Sequence, residues 1–129
     1  MNANPEKLDL SSLEKAIRSL DDILKQPVNP YVRDGVIQRF EYTVELCWKF
    51  LQRQLKILGV AAGNPKDVFR EAQKSRLIDD PAPWFEFLRY RNLASHAYND
   101  DVAAEVHEAA RTFPPFAKKV LASLKTRNG

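Results

Sequence analysis

Apolar residues recur along the chain at intervals of three and four, the spacing that places side chains on one face of an α-helix. The first stripe of this kind consists of Leu10, Leu13, Ile17, Leu20 and Leu24. It predicts a first helix that begins near Pro5 or Ser11 and ends at Lys25. Pro27 follows and cannot continue a helix, so it closes the element.

A longer apolar stripe follows and predicts the helix on which the rest of the fold is built. Its members are Ile37, Phe40, Val44, Trp48, Leu51, Leu55 and Leu58. The segment begins at Asn29-Pro30, an N-cap residue followed by proline in the first turn, and Gly59 ends it. About 28 residues at 1.5 Å each give a helix of about 42 Å. Gly35 lies inside it, either as a tolerated residue or at a place where a neighbour approaches closely.

The remaining helices are predicted to begin at side chains that cap a helix N-terminus. These starting points are Asn64-Pro65, Asp80-Pro81 and Asn99. The third helix ends near Ser75, the fourth leads into the segment Tyr90–Tyr98, and Pro114-Pro115 kinks or splits the fifth. Since runs of β-branched residues are few, this pattern predicts an all-α fold. We expect an antiparallel up-and-down four-helix bundle with an extra short helix.

Length and composition narrow the class of protein. The chain has 129 residues, of which 44% are apolar and 29% charged, so we expect a single globular domain over residues 1–129. The single Cys47 excludes an internal disulfide framework and a site of several cysteines for a metal. Neither an apolar span long enough for a membrane nor a signal peptide is found. We therefore expect a cytoplasmic protein without a metal or other cofactor.

The charge is mildly basic. A formal net charge of +3 permits a phosphate-rich partner but does not require one. One group of cations lies near the C-terminus and is either a solvated helix end or an extension of an RNA-binding surface. Its members are Lys118, Lys119, Lys125 and Arg127.

The segment Tyr90–Tyr98 places a guanidinium, an imidazole and a phenol within nine residues. On an ideal helix, one apolar stripe comprises Trp84, Phe87, Leu88 and Tyr98. Arg91 falls in the middle of this stripe, where a charged group needs an anionic partner such as a carboxylate, a phosphate or a partner chain. His96 lies about 140° round the helix from Arg91. The two side chains therefore converge only if the helix frays before His96 or if a second copy of the chain completes the site.

Arg91 and His96 follow the spacing Arg-x-x-x-x-His, with Asn92 directly after the arginine and Tyr98 two residues after the histidine. This pattern resembles the signature of HEPN domains. In particular it resembles short bacterial HEPN proteins encoded beside a minimal nucleotidyltransferase, which were first described as nucleotidyltransferase substrate-binding proteins. The resemblance extends over roughly residues 5–125. Further similar segments are Arg33–Thr43, Glu45–Lys49 and Leu77–Asp80 with the following Trp84.

The resemblance implies the toxin of a toxin–antitoxin module, acting as a metal-independent RNA endonuclease. In this role Arg91 holds the phosphorane and His96 takes the 2′-hydroxyl proton, at the interface of a homodimer. Asn92 is implied to bind the phosphate of the substrate. The implied partner is a minimal nucleotidyltransferase antitoxin, which modifies Tyr98 with AMP and so blocks RNA binding.

Two other interpretations stay open. The chain can be a non-catalytic subunit that binds the substrate or nucleotide of a two-component nucleotidyltransferase. It can also be a dimeric scaffold in which Arg91 pairs with Glu41 or Glu45, four residues apart on the second helix. In that case His96 is a surface residue, and the Tyr98 ring packs on the bundle with its hydroxyl in water.

Overall fold

The computed structural model describes residues 7–129, and this part of the chain consists of helices and their connections, without a strand. The helices are α1 (Ser11–Leu24), α2 (Pro30–Ile57), α3 (Pro65–Lys74), α4 (Ala82–Leu93), α5 (Asp100–Thr112) and α6 (Pro114–Asn128), with a 3₁₀ turn at Ala94–His96. The predicted all-α class is confirmed, whereas the antiparallel four-helix bundle and its homodimer stay predictions. The alternative start near Pro5 lies outside the described residues. Within residues 7–129 no helix has the length and apolar character needed to cross a membrane.

Asparagine caps start three of the helices, as predicted. The Asn29 side-chain oxygen accepts a hydrogen bond from the Val32 amide at 2.9 Å, and Asn64 does the same for the Asp67 amide at 3.0 Å. Asn99 accepts from the amide of Asp101 at 2.9 Å. Each bond satisfies an amide that has no partner within its helix, which stabilises the helix start by about 1 kcal/mol.

Proline and glycine end helices at the predicted places. Gly59, just beyond α2, has φ of +83°, a conformation that glycine adopts without steric cost. Pro114 and Pro115 lack the amide hydrogens that would continue α5, so α6 begins there as a separate helix after Phe113. Of the two alternatives for this dipeptide, a kink or a split, the split is found.

The helix α2 is the spine of the fold, because it packs against α1, α3, α4, α5 and α6. Its buried face combines Val36, Ile37, Phe40, Thr43, Val44, Cys47, Phe50, Leu51, Gln54 and Leu55. At Gly35 the α1 helix comes close: a Cβ added there would collide with the side chain of Ile23. This supports the second interpretation of Gly35, in which the missing side chain allows a close approach.

Aromatic side chains from three helices meet in the middle of the core. Phe113 is fully buried, and its ring lies edge-on to Phe40, Trp84 and Phe87, with centroids 4.9 to 5.5 Å apart. Trp84 also stacks on Phe69 at 4.7 Å. Edge-to-face contacts of this kind add to the free energy gained from burying apolar area. The cluster fixes α4 against α2 and thereby positions the segment that follows α4.

We predict that Phe113→Ala lowers the free energy of unfolding by about 3–5 kcal/mol, because it removes a buried ring and leaves a cavity. Urea denaturation followed by circular dichroism measures the change. Tyr31→Ala is the matched control, since the Tyr31 side chain is 86% exposed and its loss should change stability by less than about 0.5 kcal/mol. Equal urea midpoints for the two variants would contradict a core centred on Phe113.

Candidate active site

The regular helix ends at Leu93, three residues before His96. A single 3₁₀ turn follows at Ala94–His96, and Asn99 already caps the next helix. The projection of an ideal helix as far as Tyr98 is therefore wrong: the Tyr98 side chain is 84% exposed and does not join the apolar stripe. Within α4 the projection holds, because Phe87 and Leu88 are both buried.

Arg91 reaches from the last turn of α4 to the spine helix. Its Nη1 donates a hydrogen bond to the Glu45 carboxylate, and its Nη2 donates to the side-chain oxygen of Asn92 at 3.0 Å. Glu45 also lies 3.5 Å from the Lys49 ammonium. The Arg91 and Glu45 side chains remain 24% and 34% exposed. The anionic partner that Arg91 requires is thus found in Glu45, one of the two carboxylates proposed for that role, and the pair is open to solvent.

The two glutamates beside Arg91 are perturbed in opposite directions. Partial burial raises the pKa of Glu41, and the positive charge of Arg91 only partly offsets this effect. Burial acts in the same direction on Glu45, but the Trp48 indole N–H, Arg91 and Lys49 together hold the pKa of Glu45 below its ordinary value. The indole makes no hydrogen bond of regular geometry, so it acts as a nearby dipole.

His96 and Tyr98 form a second, exposed pair. The Nδ1 atom of His96 lies 3.4 Å from the Tyr98 hydroxyl oxygen, and the two rings meet edge-on at 6.0 Å between centroids. Among the described residues, no hydrogen bond links this pair to Arg91 or Asn92. The protomer therefore presents two neighbouring groups, a held guanidinium at the end of α4 and an accessible imidazole with a phenol just beyond it.

Two adjoining cavities run along one side of α2, and we call them together the α2 groove. One, of about 600 Å³, is lined by Gln38, Glu41, Tyr42, Glu45, Leu46, Lys49 and Arg91. The other, of about 410 Å³, is lined by Arg33, Asp34, Ile37, Gln38, Glu41, Ala94, Ala97, Tyr98 and Asp100. Gln38 and Glu41 line both, so the cavities adjoin along the helix. Arg91 and Tyr98 thus face the same groove, while His96 lines neither of its cavities.

The α2 groove does not carry a positive charge of its own. Its cations are Arg33, Lys49 and Arg91, and its carboxylates are Asp34, Glu41, Glu45 and Asp100. Arg33 is bound to Asp100 at 3.1 Å, and Arg91 is bound to Glu45. Electrostatic attraction of a polyanion to this groove in a single protomer is therefore weak.

The other titratable residues noted in the sequence lie outside this groove. His107 on α5 is half-buried, and its pKa is lowered chiefly by burial and next by the charge of Arg111. Cys47 is fully buried in α2, which raises the pKa of its thiol and makes it a core residue without nucleophilic character. Within residues 7–129, no three His, Cys, Asp or Glu side chains come together in the arrangement of a metal site.

The C-terminal cations are largely occupied by neighbours within the chain. Lys118 pairs with Asp21 at 2.6 Å, and Lys125 lies 3.6 Å from Glu14. Arg127 donates a hydrogen bond to the backbone oxygen of Ser75 at 3.0 Å. The contacts of Lys118 and Lys125 fasten α6 to α1, a role that neither interpretation of this region predicted.

We predict opposite pH dependences for Glu45→Gln and Glu41→Gln. The lowered pKa of Glu45 means that its contribution to stability is present above the ordinary carboxylate pKa and is lost as pH falls through the folded-state pKa. Glu45→Gln should therefore lower stability at pH 7 by up to about 1 kcal/mol and hardly at all at pH 3. The raised pKa of Glu41 gives the opposite sign, so that Glu41→Gln stabilises at pH 7 and this gain vanishes in acid.

Urea denaturation of both variants and the parent protein at pH 7, 5 and 3 measures these differences. Each glutamate serves as the control for the other, since they lie one turn apart on the same helix. Stability differences that do not change with pH, or that change in the same direction for both variants, would contradict this account of the charges around Arg91.

The chain is similar to known proteins over nearly its whole length. Residues 8–126 match the family described as nucleotidyltransferase substrate binding protein like. A protein of Haemophilus influenzae named probable ribonuclease HepT is 31% identical over 140 aligned positions, which cover 95% of this chain and 96% of that protein.

Two solved structures share the fold. A crystal structure of a Thermus thermophilus protein is 31% identical, covers 87% of this chain and 98% of its own, and has a TM-score of 0.81. A Haemophilus influenzae structure, described as revealing the fold of a substrate binding domain of a nucleotidyltransferase, is 28% identical. It covers 91% of this chain and 99% of its own, with a TM-score of 0.83. The predicted membership is confirmed: the chain belongs to the nucleotidyltransferase substrate-binding, HEPN-related family.

Proposed function

We propose that this protein is a metal-independent RNA endonuclease, the toxin of a toxin–antitoxin module, with Arg91 and His96 as its catalytic residues. Family membership by itself assigns a HEPN-related or nucleotidyltransferase-associated role. The observation that carries the more specific proposal is the partly exposed Arg91 guanidinium on an open groove, five residues before an exposed imidazole. The relative named as a probable ribonuclease supports the same reaction class.

The chemistry needs one base and one cation. His96, in its neutral form, takes the proton of a ribose 2′-hydroxyl, and the 2′-oxygen attacks the adjacent phosphorus. The bond from phosphorus to the 5′-oxygen breaks, the 5′-oxygen leaves with a proton from an imidazolium or from water, and a cyclic phosphate remains. Arg91 holds the negative charge of the phosphorane through its planar fork of donors. Asn92, which already orients the guanidinium, contributes a polar contact to the phosphate.

Glu45 has to release Arg91 for a phosphate to bind. A partly exposed ion pair of this kind is worth about 1 kcal/mol, so an incoming phosphate can replace the carboxylate at little cost. Glu45 then remains beside Lys49, which limits the repulsion between the released carboxylate and the phosphate. In the absence of RNA the pair keeps the guanidinium at the groove and prevents an unpaired charge at the edge of the core.

A second copy of the chain completes the site in this proposal. One protomer separates the guanidinium, held by Glu45, from the imidazole that pairs with Tyr98. Two copies that face each other along the α2 groove would bring the Arg91 of one chain to the His96 of the other. Tyr42 and Leu46 offer apolar area for this contact, since both line the groove and neither is buried within the protomer.

We predict that His96→Ala and Arg91→Ala each lower the rate of RNA cleavage by about 10²–10⁴-fold, because each removes the proton acceptor or the charge that holds the phosphorane. Cleavage of a labelled RNA in the presence of EDTA, followed by gel electrophoresis, measures the rate. His107→Ala and Arg89→Ala are the matched controls, since both residues lie outside the α2 groove. Each should cleave at the parent rate.

Mixing the two inactive variants tests the composite site. In a mixed dimer of His96→Ala and Arg91→Ala chains, one of the two sites receives an intact arginine from one chain and an intact histidine from the other. Unfolding and refolding the mixture should therefore restore up to about a quarter of the activity, as expected for random pairing and two sites per dimer. No recovery would contradict the composite site, and a parent protein that leaves all RNAs uncut would contradict the ribonuclease.

Tyr98 is proposed as the point of control. Its side chain is 84% exposed, and its hydroxyl lies 3.4 Å from His96 Nδ1, a group able to accept the phenolic proton. Attack of the phenolic oxygen on the α-phosphate of ATP, held by a nucleotidyltransferase, would release pyrophosphate and leave AMP on the tyrosine. The added bulk and negative charge would stand beside the imidazole and at the end of the α2 groove, where they exclude an RNA phosphate.

We predict that co-expression with the cognate minimal nucleotidyltransferase adds AMP to Tyr98 and abolishes RNA cleavage. Mass spectrometry of the purified protein and of its tryptic peptides locates the adduct. Tyr31 is an internal control, because it is as exposed as Tyr98 but does not line the α2 groove. Tyr98→Phe should remain unmodified and active under co-expression. An adduct on Tyr31, or none on either tyrosine, would contradict the proposed control point.

A second candidate is a non-catalytic subunit that binds the substrate or nucleotide of the nucleotidyltransferase. It is favoured by the solved relative described as a substrate binding domain of a nucleotidyltransferase. This candidate requires a stable complex with the nucleotidyltransferase and no RNA cleavage by the parent protein. Gel filtration of the co-expressed pair, together with the cleavage assay, separates the two functions.

A further inference from the structure

A cluster of cations without partners lies on the face of α1 and α2 next to the α2 groove. Lys15, Arg18 and Arg39 surround an open cavity of about 410 Å³, and we call this cluster the α1–α2 basic patch. Asp22 is the single carboxylate among the residues that line it. None of the three cations forms an ion pair with a carboxylate of residues 7–129.

Arg39 is held in place by neutral groups. Its Nε donates a hydrogen bond to the Ser19 hydroxyl at 2.8 Å, and its Nη1 donates to the backbone oxygen of Gly35 at 3.1 Å. Its Nη2 makes no hydrogen bond to residues 7–129. The guanidinium is thus oriented while its charge remains uncompensated, which is the preorganised state that favours binding of an anion.

Gly35 makes this arrangement possible. A Cβ at Gly35 would lie only 3.2 Å from Arg39 Nη1 and would collide with Ile23, which also lines the patch. The close contact between α1 and α2 at this glycine therefore serves two purposes. It packs the helices together, and it lets the guanidinium fold back onto the backbone of α2.

The α1–α2 basic patch differs from two other charged regions, α6 and the α2 groove, where cations are paired with carboxylates. On α6, Lys118 and Lys125 pair with Asp21 and Glu14 of α1, and the α2 groove has more carboxylates than cations. A ribonuclease needs positive charge to attract the phosphate backbone, since phosphate contacts supply most of the sequence-independent affinity. The groove with Arg91 does not supply it.

Tyr42 connects the α1–α2 basic patch to the α2 groove. Its side chain lines the cavity that contains Arg91, and its hydroxyl lies 3.4 Å from Ser19 Oγ, which holds Arg39. Along α2, Arg39 precedes Glu45 by six residues, or about 9 Å of helix. One strand of RNA can therefore contact both regions, with a base or ribose passing over the Tyr42 ring.

We propose that the α1–α2 basic patch is an auxiliary binding site for the phosphate backbone of the RNA strand that is cleaved at Arg91. The inference rests on the proposed ribonuclease function and assigns part of the affinity for RNA to this patch. Lys15 and Arg18 provide adjustable cations, and Arg39 provides a fixed fork that suits the planar geometry of two phosphate oxygens. Contacts of this kind position a strand without reading its sequence.

The test is the binding of a single-stranded RNA whose 2′-hydroxyls are methylated, so that cleavage does not interfere. Fluorescence anisotropy at several salt concentrations gives Kd and its salt dependence. Arg39→Gln, and the double variant Lys15→Gln with Arg18→Gln, should each weaken binding about tenfold at low salt. The slope of log Kd against log salt should fall by about 0.7 for each phosphate that the variant no longer binds. Lys56→Gln with Lys66→Gln removes two exposed cations elsewhere and should change neither quantity.

The outcomes separate this inference from the proposed function. If the patch variants bind RNA more weakly and the control variant does not, the auxiliary site is supported. A parent protein that binds RNA without cleaving it would refute the ribonuclease but not the auxiliary site. Unchanged Kd and slope in the patch variants overturn the auxiliary site, and a parent protein that binds no RNA overturns both. If the variants keep RNA affinity but no longer bind the nucleotidyltransferase, the patch is a protein contact and the inference is wrong. The double variant keeps the test valid if Arg39→Gln unfolds, because Lys15 and Arg18 are exposed.

Discussion

The ion pair between Arg91 and Glu45 is the contact on which both the position and the accessibility of the site depend. Arg91 follows the buried Trp84, Phe87 and Leu88 on α4, so its charge needs a partner, and α2 supplies one at the place where the two helices meet. The pair is about one-quarter to one-third exposed. A fully buried pair would lock the guanidinium, whereas a fully exposed one would not hold it. Partial exposure positions the arginine and, under the proposed function, would still let it exchange its carboxylate for a phosphate.

Under the proposed function, the distribution of charge would place the attraction of RNA and its cleavage in two neighbouring regions of the fold. The acids of α1 that face α6 are occupied by Lys118 and Lys125, and the α2 groove neutralises its own cations. Three cations that form no ion pair with residues 7–129 surround one cavity where α1 meets α2: Lys15, Arg18 and Arg39. A net charge of +3 says little about a partner, whereas three cations around one open cavity beside the α2 groove favour an anionic one.

The sequence predicted those parts of the structure that depend on local interactions. Asn29, Asn64 and Asn99 mark helix starts because a cap is a contact between residues two or three apart. The predicted position of Tyr98 on the apolar stripe was wrong, because a helical projection assumes a regular backbone and α4 ends at Leu93. The sequence limited the carboxylate partner of Arg91 to Glu41 or Glu45. The choice of Glu45 depends on how α4 packs against α2, which the sequence pattern does not show. The α1–α2 basic patch has no sequence signal, since its cations lie on two helices that are brought together at Gly35.

The division of the motif between a helix and a turn has a physical consequence. Arg91 belongs to the last turn of α4, where the aromatic core fixes the backbone and Glu45 fixes the side chain. His96 and Tyr98 lie in and after the 3₁₀ turn, where the side chains are exposed and few contacts restrain them. A residue that binds the charge of a transition state gains from rigidity, because reorganisation during the reaction costs free energy. A residue that another enzyme must reach gains from exposure. Placing the guanidinium inside the helix and the phenol outside it meets both requirements within eight residues, and it makes the short connection between α4 and α5 the place where catalysis and control meet.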